Sequence, residues 1–304
     1  MTRDEVSKAI LITGCSTGIG RATARHLAAR GWIVYATARR PESIEDLAAH
    51  GCRLLHLDVC DEQSMHHAVE TVVSEAGAVG VLVNNAGYGL EGAVEELSLD
   101  EVRREFETNL FGPTRLTQLV VPGMRRQGWG KVVNVSSVGG RITIPGGGAY
   151  HASKHALEAL SDALRFELRG FGIDVIVIEP GAIRSRWVET AVASMGTPRD
   201  RPGPYAAFDE AVARRLRGAH EGILALTAAG PESVARVVER AITARRPRTR
   251  YAVPAAARMF IASRRLLSDR AWDACMRRLI PSPGASGLPE DPPEDPPEDP
   301  QRRS

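Results

Sequence analysis

The stretch Ala9-Ile10-Leu11-Ile12-Thr13-Gly14-Cys15-Ser16-Thr17-Gly18-Ile19-Gly20 decides the fold. A short apolar run enters a glycine-rich turn, and residues 20–30 follow with apolar side chains at helical spacing, so the unit reads strand, turn, helix. The same grammar repeats downstream. Apolar runs at 33–37, 54–57, 79–83, 131–135 and 175–178 are rich in Val, Ile and Leu without strict alternation, as strands buried on both faces are. Helical spacing fills the intervals at 62–75, 100–126 and 150–169.

Repeated strand–helix–strand units imply parallel strands joined by right-handed crossovers. The expected fold class is therefore α/β: a single-domain, doubly wound parallel sheet of the Rossmann type with helices on both faces. Residues 1–254 form this domain, in which the segment at about 182–229 is broken by Gly196, Pro198, Pro202, Gly203 and Pro204 and reads as a lid over the substrate. A helix returns at 232–244, a short last strand is expected at 251–253, and 255–280 reads as one helical extension. Its apolar side is assigned to Met259, Phe260, Leu266, Leu267, Trp272, Met276 and Leu279. Residues 281–304 form an acidic, proline-rich tail whose composition is that of a disordered segment.

The turn between the first strand and helix carries its own chemistry. Gly14, Gly18 and Gly20 let backbone approach a pyrophosphate, while the helix start offers free N–H groups and partial positive charge around Ser16, Thr17 and Ile19. The spacing is Gly-x-x-x-Gly-x-Gly rather than the commoner dinucleotide fingerprint. In this fold the end of the second strand meets the adenosine ribose. Here it reads Thr37-Ala38-Arg39-Arg40 with no carboxylate before Glu42, so Arg39 points to a 2′-phosphate and the expected cofactor is NADP(H). The plainer alternative is an exposed arginine pair at a strand end.

A second constellation is Tyr150-His151-Ala152-Ser153-Lys154, with Ser137 thirteen residues upstream. Residues four apart share a helix face, so the Lys154 ammonium can favour the phenolate of Tyr150, which otherwise titrates near pH ~10. The pair alone is common, and an aromatic stem beside a solvated lysine is its plain alternative.

Taken in order, these motifs resemble the short-chain dehydrogenase/reductase family over residues 9–185. The match comprises Thr13-Gly-Cys-Ser-Thr-Gly-Ile-Gly20, Asn84-Asn-Ala-Gly87, Asn109, Ser137, Tyr150-x-x-x-Lys154 and Pro180-Gly181. The wording around Ala36-Thr-Ala-Arg39, residues 150–160 and Gly230-Pro-Glu232 is similar to the hydroxysteroid and retinol dehydrogenase-like branch. The resemblance implies carbonyl–alcohol interconversion with Tyr150 as proton donor or acceptor. Lys154 would lower the Tyr150 pKa and hold the nicotinamide ribose, Ser137 would bind the carbonyl oxygen, and Asn109 would anchor a water leading from Lys154. It implies further cofactor contacts from Asp58 and Val59, from Asn85, Ala86 and Gly87, and from Pro180, Gly181, Ile183 and Ser185. It also implies a homodimer or homotetramer built on the 100–126 and 150–169 helices. Two residues depart from the family's habit: Gly80 replaces a frequent aspartate, at an expected local cost in stability, and Ser185 replaces threonine.

Composition sets the remaining bounds. The chain has 304 residues and a net charge of +2, but its last sixteen residues hold six carboxylates and two arginines, so the body stands at +6. Ten arginines and two acids lie between Arg245 and Arg278, read as a solvated face rather than a nucleic-acid site because few aromatics are interleaved. No apolar run reaches the ~20 residues of a membrane span, which leaves only peripheral membrane contact open. Four cysteines without metal-ligand spacing, and no secretory signal, favour the cytoplasm. No metal is expected, although His151 and His155 lie four apart; Cys15 is read as a small side chain tolerated in the turn, with a lowered pKa as the alternative. The pocket is assigned to 88–90, 139–148, 183–187 and the lid, with Ile142, Ile144, Trp187 and Phe208 making it apolar. A small apolar carbonyl or alcohol is the expected substrate. The competing reading is a non-catalytic NADP(H)-binding regulatory or scaffold protein.

Overall fold

The computed structural model describes residues 6–195, 203–218 and 228–283. Part of the expected lid, and the acidic tail from residue 284, lie outside the described residues. Strands β1 (Ile10–Ile12), β2 (Val34–Ala38), β3 (Arg53–His56), β4 (Val81–Asn84), β5 (Gly130–Val135), β6 (Ile173–Pro180) and β7 (Arg250–Val253) form one sheet in the order 3-2-1-4-5-6-7. All neighbours pair in parallel, with Ile12 opposite Ala36 on one side and Val83 on the other. The order reverses between β1 and β4, the place where such sheets open a crevice at the carboxyl ends of their strands.

The strands are apolar throughout because both faces are covered. Ile10 and Ile12 pack with Leu27 of α1 (Gly18–Ala28) and with Val234 and Val238 of α8 (Pro231–Thr243). Leu11, Leu82 and Val132 face the other layer, against Val69 of α2 (Glu62–Ala76) and Leu116 and Met124 of α4 (Gly112–Gln127). The long helix α5 (Gly148–Leu168) completes that layer through Leu168.

Three expectations are corrected. The single helix at 100–126 is instead α3 (Leu99–Phe106), a π-helical turn (Glu107–Phe111) and α4. Pro113 has no N–H for the carbonyl of Asn109, and the Gly112 N–H reaches back five residues to Glu107. The 255–279 helix is two helices, α9 (Ala255–Leu266) and α10 (Asp269–Leu279), because Ser268 caps the second through the Ala271 N–H. The break turns Met259, Leu266 and Leu279 to solvent, while Trp272 and Met276 pack on Ile142. Gly80 incurs no local penalty: a Cβ there would stand 2.0 Å from the Ser7 carbonyl oxygen, so the glycine lets the incoming chain lie against β4.

Arg250 also departs from the solvated-face reading. On the last strand it donates to Glu158 (2.9 Å) and Asp162 (2.6 Å) of α5, fixing the sheet edge. Helices α6 (Trp187–Ser194) and α7 (Ala206–Gly218) pack together through Ala191, Phe208 and Val212 above the crevice. Among the described residues no helix is long and apolar enough to cross a membrane.

Candidate active site

The crevice at the β1/β4 reversal is a cleft of about 910 Å³. Of the expected site residues, Gly14, Ser16, Thr17, Gly18, Ile19, Arg39, Asp58, Val59, Asn85, Ala86, Gly87, Ser137, Tyr150, Lys154, Pro180, Gly181, Ile183 and Ser185 line it. Gly20 and Asn109 stand behind its wall, where each supports residues that do line it.

The turn after β1 is held open by backbone geometry. Gly14 and Gly18 have φ of +71° and +56°, which L side chains rarely adopt. A Cβ on Gly14 would also come 2.9 Å from the Ala86 Cα, and one on Gly20 2.4 Å from the Asn85 Nδ2. Asn85 staples the turn to the β4 loop by donating Nδ2–H to the carbonyls of Thr13 (2.9 Å) and Gly14 (3.1 Å). In return the Thr13 hydroxyl oxygen accepts from the N–H groups of Asn85 and Ala86, both at 2.9 Å.

Helix α1 begins on this turn with no side-chain cap from Thr17 and no acid in its first turn. By contrast α2 is capped by Asp61, and α3 carries a full Ser98/Glu101 capping box. The start of α1, which lines the cleft, thus keeps its N–H groups and partial positive charge available, which suits the pyrophosphate of a dinucleotide. Beyond β2, Arg39 is exposed and makes no ion pair among the described residues. Tyr150 follows β5, three strand positions from β2, or about 14 Å. The residues present therefore fit an extended dinucleotide lying across the strand ends.

At the other end Tyr150 is buried on the first turns of α5, with Trp187 stacked obliquely at 5.2 Å between ring centroids. Ser137, just beyond β5, accepts from the Gly139 N–H (3.0 Å) and stands beside the phenol in the cleft lining. Burial raises the phenol above its usual range; Ser137 pulls it down, and Glu91 and Glu105 push it further up. Lys154 donates to the Val135 carbonyl (3.2 Å), with Nζ 5.9 Å from the Tyr150 ring centre. Burial lowers its ammonium to about 8, against the pull of Glu105 and Glu158.

Asn109 sits in the π turn. Its Nδ2 donates to the Tyr88 carbonyl (2.9 Å) and to Ser153 Oγ (3.0 Å), while its Oδ1 accepts from the Tyr88 N–H (3.1 Å). The bond to a backbone carbonyl is the plain reading of this residue, and the structure contains it. Gly87 separates Asn109 from Lys154, since a Cβ there would lie 2.8 Å from Oδ1 and 3.4 Å from Nζ.

Some expectations around the pocket change. Ile142 is buried under Trp272 and lines a separate cavity, and Phe208 belongs to the core beneath α7, so neither lines the cleft. Ile144 and Trp187 do, joined by Val188 and Leu216. The two histidines use Nδ1 on the carbonyls of Gly139 (3.0 Å) and His151 (2.8 Å). Cys15 is fully buried with its thiol pushed up to about 12 by burial, which excludes a reactive thiolate and keeps the small-side-chain reading.

Sequence reasoning missed three charged residues here: Glu91, Glu105 and Arg215. Glu91 and Glu105 are carboxyls raised to about 7 by burial. Arg215 of α7 lies across from Glu91 at 4.0 Å. Arg215 was within reach of helical arithmetic, since it shares the stripe of Phe208, Val212 and Leu216. Nothing in the local pattern marks either acid.

Residues 8–195 match the short chain dehydrogenase family. The chain is 35% identical over 279 residues to the uncharacterized oxidoreductase YbbO of Escherichia coli (strain K12), covering 91% of this chain and 97% of that one. It is 35% identical over 290 residues to retinol dehydrogenase 5 of Mus musculus, covering 91% and 90%. A crystal structure of a short-chain dehydrogenase from Streptomyces avermitilis superposes with a TM-score of 0.72 at 34% identity, covering 90% and 99%. With its glycine turn, parallel sheet and Tyr150–Lys154 helix in matching order, the chain belongs to the short-chain dehydrogenase family of oxidoreductases.

Proposed function

We propose that this oxidoreductase is NADP(H)-dependent and interconverts a carbonyl and an alcohol on an apolar substrate, with Tyr150 as the general acid/base. The family binds a nicotinamide dinucleotide. The observation that carries the reading is the placement of a buried phenol against Ser137 and Lys154 at one end of a cleft whose other end holds an arginine with no ion pair among the described residues. When bound, the dinucleotide supplies or takes the hydride. The chain's own residues do the rest.

Gly14, Gly18 and the start of α1, with Ser16, Thr17 and Ile19, hold the pyrophosphate; Gly20 lets the helix close on the turn. Arg39 forms charge-assisted bonds to a 2′-phosphate, which favours NADP(H) over NAD(H). Asp58 and Val59 flank the adenine, Asn85, Ala86 and Gly87 the ribose, and Pro180, Gly181, Ile183 and Ser185 the nicotinamide end. Ser137 orients the substrate oxygen. Tyr150, held as a neutral phenol by burial, donates its proton to that oxygen as it becomes an alkoxide, and in the reverse direction accepts it. Lys154 holds positive charge beside the phenolate that remains, and Asn109 positions the backbone of Tyr88 and the π turn behind it. Ile144, Trp187, Val188 and Leu216 give the substrate end its apolar walls, and α6 and α7 close over it.

The same proposal includes self-association through α4 and α5, supported by the exposed Phe111 and Phe166, and a reducing compartment, supported by four free cysteines.

A screen of aldehydes and apolar ketones tests it, with NADPH and NADH consumption followed in parallel. Wild type should turn over at least one carbonyl with the higher catalytic efficiency for NADPH. Tyr150→Phe should lose about 10²–10⁴-fold in kcat while still binding NADPH. Unchanged turnover in that variant overturns the assignment.

A further inference from the structure

Next to Tyr150 the cleft wall carries polar atoms that the proposed reaction does not use. His151 Nδ1 lies 3.0 Å from the Gly139 carbonyl, which can only accept, so Nδ1 carries the proton and Nε2 presents a lone pair. Among the described residues Nε2 makes no hydrogen bond. A Cβ on Gly147 would sit 2.8 Å from that Nε2 and 3.2 Å from Glu91 Oε2, so the glycine leaves both atoms facing one small space. Glu91 is 2% exposed, and its Oε2 has no hydrogen-bond partner among the described residues. Arg215 reaches towards it from α7, but Nη2 stops at 4.0 Å, too far for a hydrogen bond, and its Nε is also unpaired.

Buried donors and acceptors left unmatched are costly and rare. Here two acceptors and one guanidinium converge on a cleft that all three residues line, beside the apolar side chains of Ile144, Trp187, Val188 and Leu216. The group that matches them must both donate and accept. An alcohol does so, giving its proton to Nε2 or the carboxylate and accepting from Arg215. An ammonium is opposed by Arg215, and a carboxylate by Glu91. We infer that His151, Glu91 and Arg215 form a hydroxyl-recognising subsite, and that the substrate carries, besides the reacting carbonyl, an alcohol a short carbon chain away. The tilted Tyr150 and His151 rings, 5.6 Å apart between centroids, set that short separation. This inference rests on the proposed carbonyl chemistry for its position relative to the reacting atom.

The test uses the full chain and a medium-chain methyl ketone beside analogues with one hydroxyl stepped along the chain. At least one hydroxy-ketone should exceed the plain ketone in kcat/KM by about tenfold, the value of one charge-assisted hydrogen bond. Arg215→Met and His151→Phe should each collapse that ratio, and Arg215→Lys, which keeps a donor, should retain part of it. The ratio is read within each variant, with the melting temperature recorded to confirm a folded chain. Equal kcat/KM for plain and hydroxylated ketones in wild type overturns the subsite. Calorimetric binding of the matching mono-alcohols and diols to the chain with oxidised dinucleotide separates the two proposals. Tighter diol binding without turnover of any carbonyl supports the subsite and counts against the carbonyl reaction, whereas equal binding overturns the subsite.

Discussion

Tyr150 illustrates how one side chain can serve only in its surroundings. Its phenol is held above the ordinary range by burial, so the chain alone stores a proton there rather than a phenolate, as a donor to an incoming carbonyl must. Lys154 was expected to draw the phenol down; in the structure burial dominates, and the downward pull comes from Ser137. Glu105 adds a titration of its own beneath this pair. It is fully buried, accepts from the Leu90 N–H (3.0 Å) and faces Lys154 and Glu91, with its carboxyl raised to about 7 from 4.5. A carboxyl raised on folding contributes stability fully present below pH 4.5, and that contribution is lost as pH climbs through 7. Glu105→Gln should therefore match wild type near pH 4 and exceed it by on the order of 1–2 kcal/mol near pH 8. Urea unfolding at the two pH values checks this, and a variant equally or less stable at the higher pH contradicts it. The residues that sequence reasoning found, Tyr150, Lys154, Ser137 and Arg39, are those whose chemical type and local spacing announce them. Glu91 and Glu105 are ordinary acids in sequence; only tertiary burial makes them unusual.

At the level of elements, the glycine turn and α1 were legible because their constraints are local. A positive φ, a missing cap and a close approach all arise within residues 13–20 and the stapling loop at 84–87. Gly14→Ala combines an unfavourable φ of +71° with a contact of 2.9 Å to the Ala86 backbone. It should cost about 2 kcal/mol or more in stability and abolish measurable NADPH binding, as read by thermal melts with and without the dinucleotide. Retained affinity would mean that the turn is not the pyrophosphate site. The elements read less well are those whose breaks depend on competing hydrogen bonds. Pro113 opens a π turn inside an otherwise continuous amphipathic pattern, and Ser268 ends one helix by capping the next. Both signals are present in the sequence, but neither outranks helical periodicity until the neighbouring packing is known.

Across the whole molecule, the parallel, doubly wound sheet was implied by its alternating grammar, and so were the segments that wall the substrate end, but not which of their side chains face the cleft. Those walls come from segments far apart in the chain: the 88–91 loop, the start of α5, and α6 and α7. Trp272 shows the same long reach. It donates to the Thr143 carbonyl at 3.1 Å and buries Ile142, so α10 braces the loop carrying Ile144 into the cleft. What the fold achieves is to bring a glycine turn with an uncapped helix start, an arginine without an ion pair among the described residues, and a buried phenol to one line of strand ends. The central claim is that Tyr150 gives a proton while hydride arrives from the dinucleotide. It is tested most directly with NADPH carrying deuterium on the transferring face of its nicotinamide ring. Wild type should deliver the label to the carbinol carbon of the product, and Tyr150→Phe, with NADPH bound, should deliver it at least about a hundredfold more slowly. Product without label, or labelled at an unchanged rate by the variant, would contradict the account.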